Sequence, residues 1–266
     1  MPVAQSETLL EVRGLHKHFG GLRALDGASM AVRTGSITGL IGPNGSGKTT
    51  MFNVVTGYEK ADSGQISFRD RHLSNPAPQR VCSLGIGRTF QLTRVFPSLS
   101  VRDNLLVGER AVERSRRRSL YSAPRLSELL DFVGLRRLEG EPAGSLSYGQ
   151  RKLLELAIIL AQDPKVILLD EPAGGINPSL VAMISERIRE LNQQGVTFLV
   201  VEHNMEFVMG ICDEVAVMER GKVIAIGPPE QIRNDPRVLD AYLGGSLEDP
   251  VEDADHGAPS EDGGSL

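Results

Sequence analysis

Gly42-Pro43-Asn44-Gly45-Ser46-Gly47-Lys48-Thr49 fits G-x-x-x-x-G-K-[ST], the pattern of a phosphate-binding loop. Glycines let successive backbone N–H groups turn inward around phosphate oxygens. Lys48 carries positive charge to the terminal phosphates, and the Thr49 hydroxyl can ligate Mg2+. A Gly-rich turn that only caps a helix would share these glycines, but the flanks argue against it. Ile37-Thr38-Gly39-Leu40-Ile41 reads as a buried strand entering the loop. Thr49 to Thr56 reads as a helix leaving it, with Gly57 as its stop. The helix N-terminus adds a dipole that favours anionic phosphate. The nucleotide-binding set is therefore Gly42, Pro43, Asn44, Gly45, Ser46, Gly47, Lys48, Thr49 and Thr50.

A second strand ends in chemistry. Val166-Ile167-Leu168-Leu169 runs into Asp170-Glu171, at the carboxyl end where α/β sheets place ligand groups. With a phosphate loop upstream, Asp170 is expected to hold Mg2+, and Glu171 to polarise an attacking water as general base. A plain cap of the turn at Pro172 is the bland alternative for Glu171.

Leu146-Ser147-Tyr148-Gly149-Gln150 precedes an apolar helix, Arg151 to Ala161. Ser147 with Gln150 three residues later is a capping box. The helix carries Leu153, Leu154, Leu156, Ala157, Ile158, Ile159 and Leu160, so it is expected to be buried nearly all round. Free N–H groups at its start, at Ser147 and Gly149, would form an anion site.

Elsewhere the chain alternates. Thr8 to Val12, Ala28 to Val32, Gln65 to Phe68 and Gly85 to Phe90 are strand-like. Val101 to Leu138 reads as helical. Lys165 to Leu169, Ser179 to Asn192 and Val196 to Val201 give strand, helix, strand. Val215 to Met218 and Val223 to Ile226 form a hairpin around Glu219-Arg220-Gly221. The pattern predicts a mixed sheet with a helical insertion between Gln91 and Pro164.

Composition adds limits. With 266 residues, 40% apolar and 24% charged, the chain reads as a soluble globular protein. No run approaches a membrane span, and Met1 to Leu10 has no signal-peptide pattern. Cys82 and Cys212 make neither a disulfide framework nor a metal motif, so a reducing setting is expected. The net charge of −5 comes from the end of the chain. Ser246 to Leu266 holds seven acids and no Lys or Arg; without them 29 basic residues face 27 acidic ones. That composition predicts a disordered, solvating tail. Arg114, Arg116, Arg117 and Arg118 form a basic run with no aromatic interleaving, read as a solvated face, and no nucleic-acid partner is expected.

Taken together the motifs resemble those of the ATP-binding-cassette ATPases. Leu146 to Gln150 matches their L-S-G-G-Q signature with Tyr148 in place of the first glycine. The order phosphate loop, Gln91, signature, Asp170-Glu171, His203 is the family's order. The resemblance implies an α/β phosphate-loop core of ABC type spanning 8–245. It further implies an N-terminal antiparallel β-subdomain and a helical signature subdomain inserted at about 92–163. Two such domains would sandwich two ATP molecules, with Lys48, Thr49 and Asp170 of one facing Ser147, Gly149 and Gln150 of the other. Phe19 would stack on adenine, Gln91 would sense Mg2+ and the membrane partner, and His203 would contact the γ-phosphate.

Gly87-Arg88-Thr89-Phe90-Gln91, Glu171-Pro172-Ala173-Gly174-Gly175-Ile176-Asn177-Pro178, Val201 to Met209 and Ala241-Tyr242-Leu243-Gly244 look like the ATPases of branched-chain amino acid importers. Tyr148 is usual in that group. This implies two membrane-spanning permease subunits, an external solute-binding protein and a second ATPase. That second ATPase is expected to be a different chain, with a homodimer as the alternative. The place implied is the cytoplasmic face of the membrane. Importers of urea or amides and the lipopolysaccharide exporter, which shares the overall layout, are the near alternatives. Soluble cassette ATPases usually carry two cassettes in one chain or a long coiled-coil insertion, and this sequence has neither. Arg88-Thr89-Phe90-Gln91 and Glu206-Phe207-Val208-Met209 favour the amino acid group.

Overall fold

Apolar residues at alternate positions make two sheets, and runs buried at every position mark the strands covered on both faces. The computed structural model describes residues 7–110 and 123–244. Its strands are β1 (Thr8–Phe19), β2 (Leu22–Arg33), β3 (Ile37–Ile41), β4 (Ser63–Phe68) and β5 (Arg71–His72). They continue as β6 (Ile86–Arg88), β7 (Val166–Asp170), β8 (Thr197–Val201), β9 (Glu214–Glu219) and β10 (Lys222–Gly227). The helices are α1 (Lys48–Val55), α2 (Pro78–Leu84), α3 (Val101–Arg110), α4 (Ala123–Phe132) and α5 (Tyr148–Leu160). After β7 come α6 (Pro178–Gln193), α7 (Met205–Ile211), α8 (Pro229–Arg233) and α9 (Pro236–Gly244).

The first sheet is antiparallel in the order β2-β1-β4-β5. The second has the order β10-β9-β3-β8-β7-β6, parallel except for the β9–β10 hairpin. Strands β3, β7 and β8 are buried along their whole length, as central parallel strands are. Their side chains alternate between two cores. Ile167, Leu169, Phe198 and Val200 face α3 to α7. Val166, Leu168, Leu199 and Val201 face α1, α2 and the first sheet. The fold is α/β with the phosphate loop following β3, as the sequence predicts. Four neighbouring parallel strands, β3, β8, β7 and β6, end on one edge, and each of the loops that leave them carries a candidate site residue.

Several boundaries differ from expectation. The first two strands run far beyond Val12 and start well before Ala28. Polar residues such as Arg13, His16, Lys17 and Asp26 break the alternation, and the ladder carries them through register shifts. The expected strand Gly85 to Phe90 is only β6. Gly85 closes α2 in a left-handed conformation (φ 98°), and Phe90 turns towards the signature helix. Helix α2 itself was not expected; Pro78 at its first turn pre-sets the backbone. The helical stretch from Val101 is α3, α4 and a 3-10 turn at Arg136–Leu138. Arg114 to Arg118 and Ser246 to Leu266 lie outside the described residues.

Candidate active site

The phosphate loop is built on close backbone approach. Gly42 (φ 148°) and Gly47 (φ 103°) sit where a side chain would collide with the Met218 carbonyl and the Ala24 carbonyl, respectively. Only glycine fits both. Gly47 caps α1 without a side-chain hydrogen bond, so the first N–H groups of α1 point into the loop. Lys48 is buried, and its Nζ donates to the carbonyls of Gly42 and Pro43 at 2.8 Å each and to Ser46 Oγ at 3.2 Å. Burial pulls the Lys48 ammonium below its usual range, while Glu171 and Asp170 act to hold it up.

Phe19, Leu22, Arg23 and Ala24 from the first sheet face this loop across a cleft of about 390 Å3. Asn44 to Thr50, Gln91, Glu171, Val201 and His203 complete its lining. The Phe19 ring is half exposed, with Lys17 Nζ 4.9 Å from its centroid. Glu171 sits between two donors: His203 Nε2 lies 2.9 Å from Oε1, and Gln91 Nε2 donates to Oε2 at 3.1 Å. Its backbone is left-handed (φ 49°), a strain of about 1–3 kcal/mol that surrounding contacts must hold. Glu171 N–H donates to the Val201 carbonyl at 2.9 Å, which ties β7's end to β8's.

Asp170 is buried, and its Oδ2 accepts from Arg88 at 3.0 Å. Burial pushes its carboxyl up, and the Arg88 guanidinium opposes that shift. The Thr49 hydroxyl, the Gln91 amide oxygen and the remaining Asp170 oxygen are all hard oxygen donors, a set that fits Mg2+.

Ser147, Gly149 and Gln150 do not line this cleft. Both halves of the expected capping box are present. Ser147 Oγ accepts from Gln150 N–H at 3.3 Å, and Ser147 N–H donates to Gln150 Oε1 at 2.9 Å. Ser147 N–H is therefore already used, which corrects the expectation of a free N–H there. The Ser147 hydroxyl is exposed and keeps its capacity to donate. A side chain at Gly149 would strike Leu180 of α6, so that glycine also serves packing.

The chain is similar to known proteins over nearly its whole length. A family model described as ABC transporter matches residues 25–174. The chain belongs to the ABC transporter family. A second model, branched-chain amino acid ATP-binding cassette transporter, matches residues 222–248. The high-affinity branched-chain amino acid transport ATP-binding protein LivG of Salmonella typhimurium is 40% identical, covering 90% of this chain and 99% of the relative. A probable LivG of Archaeoglobus fulgidus is 41% identical over 89% and 95%. Among solved structures, the ADP conformation of an ATP-binding cassette of an ABC transporter superposes with a TM-score of 0.80. It is 35% identical, and the match covers 90% of this chain and 100% of that one. The α/β cassette fold expected from the motifs is thus this chain's fold.

Four buried charges, Arg88, Glu202, Lys152 and Glu155, escaped the sequence reading. Arg88 reaches Asp170, Asn53 and Thr56 at 2.8–3.0 Å and lies 4.9 Å from the Phe90 ring centroid. Glu202 accepts from Ala173 N–H at 2.6 Å and from the N–H groups of His203 and Asn204 at 2.9 and 3.1 Å. It thereby fixes the backbone that carries His203. Lys152 on α5 donates to the Glu171 carbonyl. An acid directly after an apolar strand, as in Val201-Glu202, was the available hint for the second.

Proposed function

We propose that this chain is the ATP-hydrolysing subunit of an importer of branched-chain or other hydrophobic amino acids. The observation that carries the hydrolytic reading is the Glu171 carboxylate at the cleft wall, held between His203 and Gln91. ATP is the substrate, its adenine on Phe19 and its phosphates on Lys48 and the N–H groups of the loop. Mg2+, held by Thr49, Gln91 and Asp170, would neutralise phosphate charge. Glu171 takes the proton of the attacking water, and His203 faces the γ-phosphate and holds the carboxylate's orientation. Amino acid import is supported by the relatives' names and by the match over residues 222–248.

Because Ser147 and Gly149 lie off the cleft, the signature would serve the ATP of a second ATPase, with the two domains closing on both nucleotides. We expect that second ATPase to be a different chain. Co-expression of the transporter genes and native mass spectrometry checks this. One copy of this chain with one of another ATPase is the expected mass. Two copies of this chain alone would leave the homodimer.

Coupling to two permease subunits at the cytoplasmic face of the membrane is argued from the segment after Gln91. No helix among the described residues is long and apolar enough to cross a membrane. Leu92 and Phe96 are exposed at 79% and 51%, whereas Val95 packs against the core. The backbone at Phe96 is pinned, its N–H donating to buried Asn104 at 2.8 Å and its carbonyl accepting from Asn104 at 3.1 Å. A fixed backbone thus displays an apolar ring outward. Phe96→Ala is expected to spare ATPase activity of the isolated chain and to lower transport by the assembled complex. Equal loss of both would return Phe96 to a packing role.

A further inference from the structure

Three polar residues of the signature helix fall at positions i, i+4 and i+7, one stripe along α5. Each reaches the backbone of a loop that carries a hydrolytic side chain. The Tyr148 hydroxyl donates to the Gln91 carbonyl at 3.3 Å. Lys152 Nζ donates to the carbonyls of Glu171 (2.7 Å), Gly174 (2.9 Å) and Pro172 (3.3 Å). Glu155 Oε1 accepts from the N–H groups of Phe90 (3.2 Å) and Arg94 (3.3 Å), one on each side of Gln91. Lys152 and Glu155 are both buried in a helix whose other buried residues are apolar, where an apolar side chain would be easier to bury. The contacts go to main chain, so they set the path of each loop rather than pairing with one side chain. Glu171 needs this most, because a left-handed backbone at a non-glycine residue persists only where its surroundings over-determine it.

We propose that Tyr148, Lys152 and Glu155 are positioning residues that lock the signature helix to the loops bearing Gln91 and Glu171. The N-terminus of α5, which faces the other subunit's ATP, and the hydrolytic groups of the chain's own site then move as one piece. The two ATP sites are linked through this stripe. This rests on the reading of Glu171 and Gln91 as hydrolytic groups.

The test uses the full chain in the assembled transporter, with turnover measured alongside equilibrium binding of a fluorescent ATP analogue. Lys152→Met is expected to lower kcat by about 10- to 100-fold through loop misplacement. Nucleotide affinity should stay within about twofold, since no phosphate contact is lost. Lys152→Arg, which keeps donors at that place, should recover most of the loss. Tyr148→Phe removes one exposed hydroxyl without endangering the fold and should lower kcat by about threefold at unchanged affinity. It decides the matter even if Lys152→Met fails to fold. Wild-type kcat in Tyr148→Phe, or parallel loss of kcat and affinity in folded Lys152→Met, would overturn the proposal. Glu171→Gln separates the two levels. If it is inactive while Lys152→Met and Tyr148→Phe turn over normally, only the stripe is refuted. If Glu171→Gln itself turns over normally, the hydrolytic reading fails.

Discussion

Glu171→Gln is expected to lower ATP turnover by about 10²- to 10⁴-fold while nucleotide affinity stays close to wild type. Gln has nearly the same shape, so the backbone of Glu171 and its N–H bond to Val201 are retained. What disappears is the basic oxygen pair now facing His203 Nε2 at 2.9 Å and Gln91 Nε2 at 3.1 Å. An amide cannot take the water's proton, and among the described residues no other carboxylate lines the cleft. Asp170 cannot substitute, because it is buried and one of its oxygens is held by Arg88. Affinity survives because Lys48 and the loop's N–H groups are untouched. Removing the negative charge beside the γ-phosphate should also favour the closed, ATP-loaded pair of domains. Single-turnover hydrolysis together with nucleotide titration and size-exclusion chromatography in ATP checks all three. A folded Glu171→Gln chain that no longer binds ATP would place the residue in binding rather than catalysis.

The site was legible wherever chemistry and local structure coincide in a short run. Gly42 to Thr49 names its own strand, loop and helix, and an apolar strand ending in Asp170-Glu171 announces its acids. The capping box at Ser147 and Gln150 was equally local. Arg88, Lys152, Glu155 and Glu202 were not readable. Their partners are main-chain groups or side chains far along the chain, such as Asp170, 82 positions beyond Arg88. A buried charge has no sequence periodicity of its own; it looks like a polar interruption of an apolar pattern. The same reason hid the full length of the first hairpin, where register shifts absorb residues that break the alternation. Tyr148, which departs from the signature glycine, has its explanation only in the fold, where it meets the loop of Gln91.

Lys48→Ala should fail at the step that Glu171→Gln leaves intact. The Lys48 ammonium is buried at the bend of the phosphate loop, and its contacts to Gly42, Pro43 and Ser46 aim it into the space the loop encloses. Burial lowers its pKa, and an anionic phosphate beside it would favour the charged form. Charge-assisted hydrogen bonds of this kind are worth about 1.5–3 kcal/mol each, so losing two contacts to the terminal phosphates weakens ATP binding roughly 100-fold or more. The loop itself should remain, since its path is set by Gly42 and Gly47 against the Met218 and Ala24 carbonyls and by Gly221 N–H donating to the Ser46 carbonyl at 2.9 Å. Titration of the folded variant with ATP and with AMP distinguishes the cases. AMP lacks the terminal phosphates, so its weak binding should change little between wild type and Lys48→Ala. Equal weakening of both nucleotides would mean that the variant has lost the cleft rather than the charge, and unchanged ATP affinity would remove Lys48 from the phosphate site altogether.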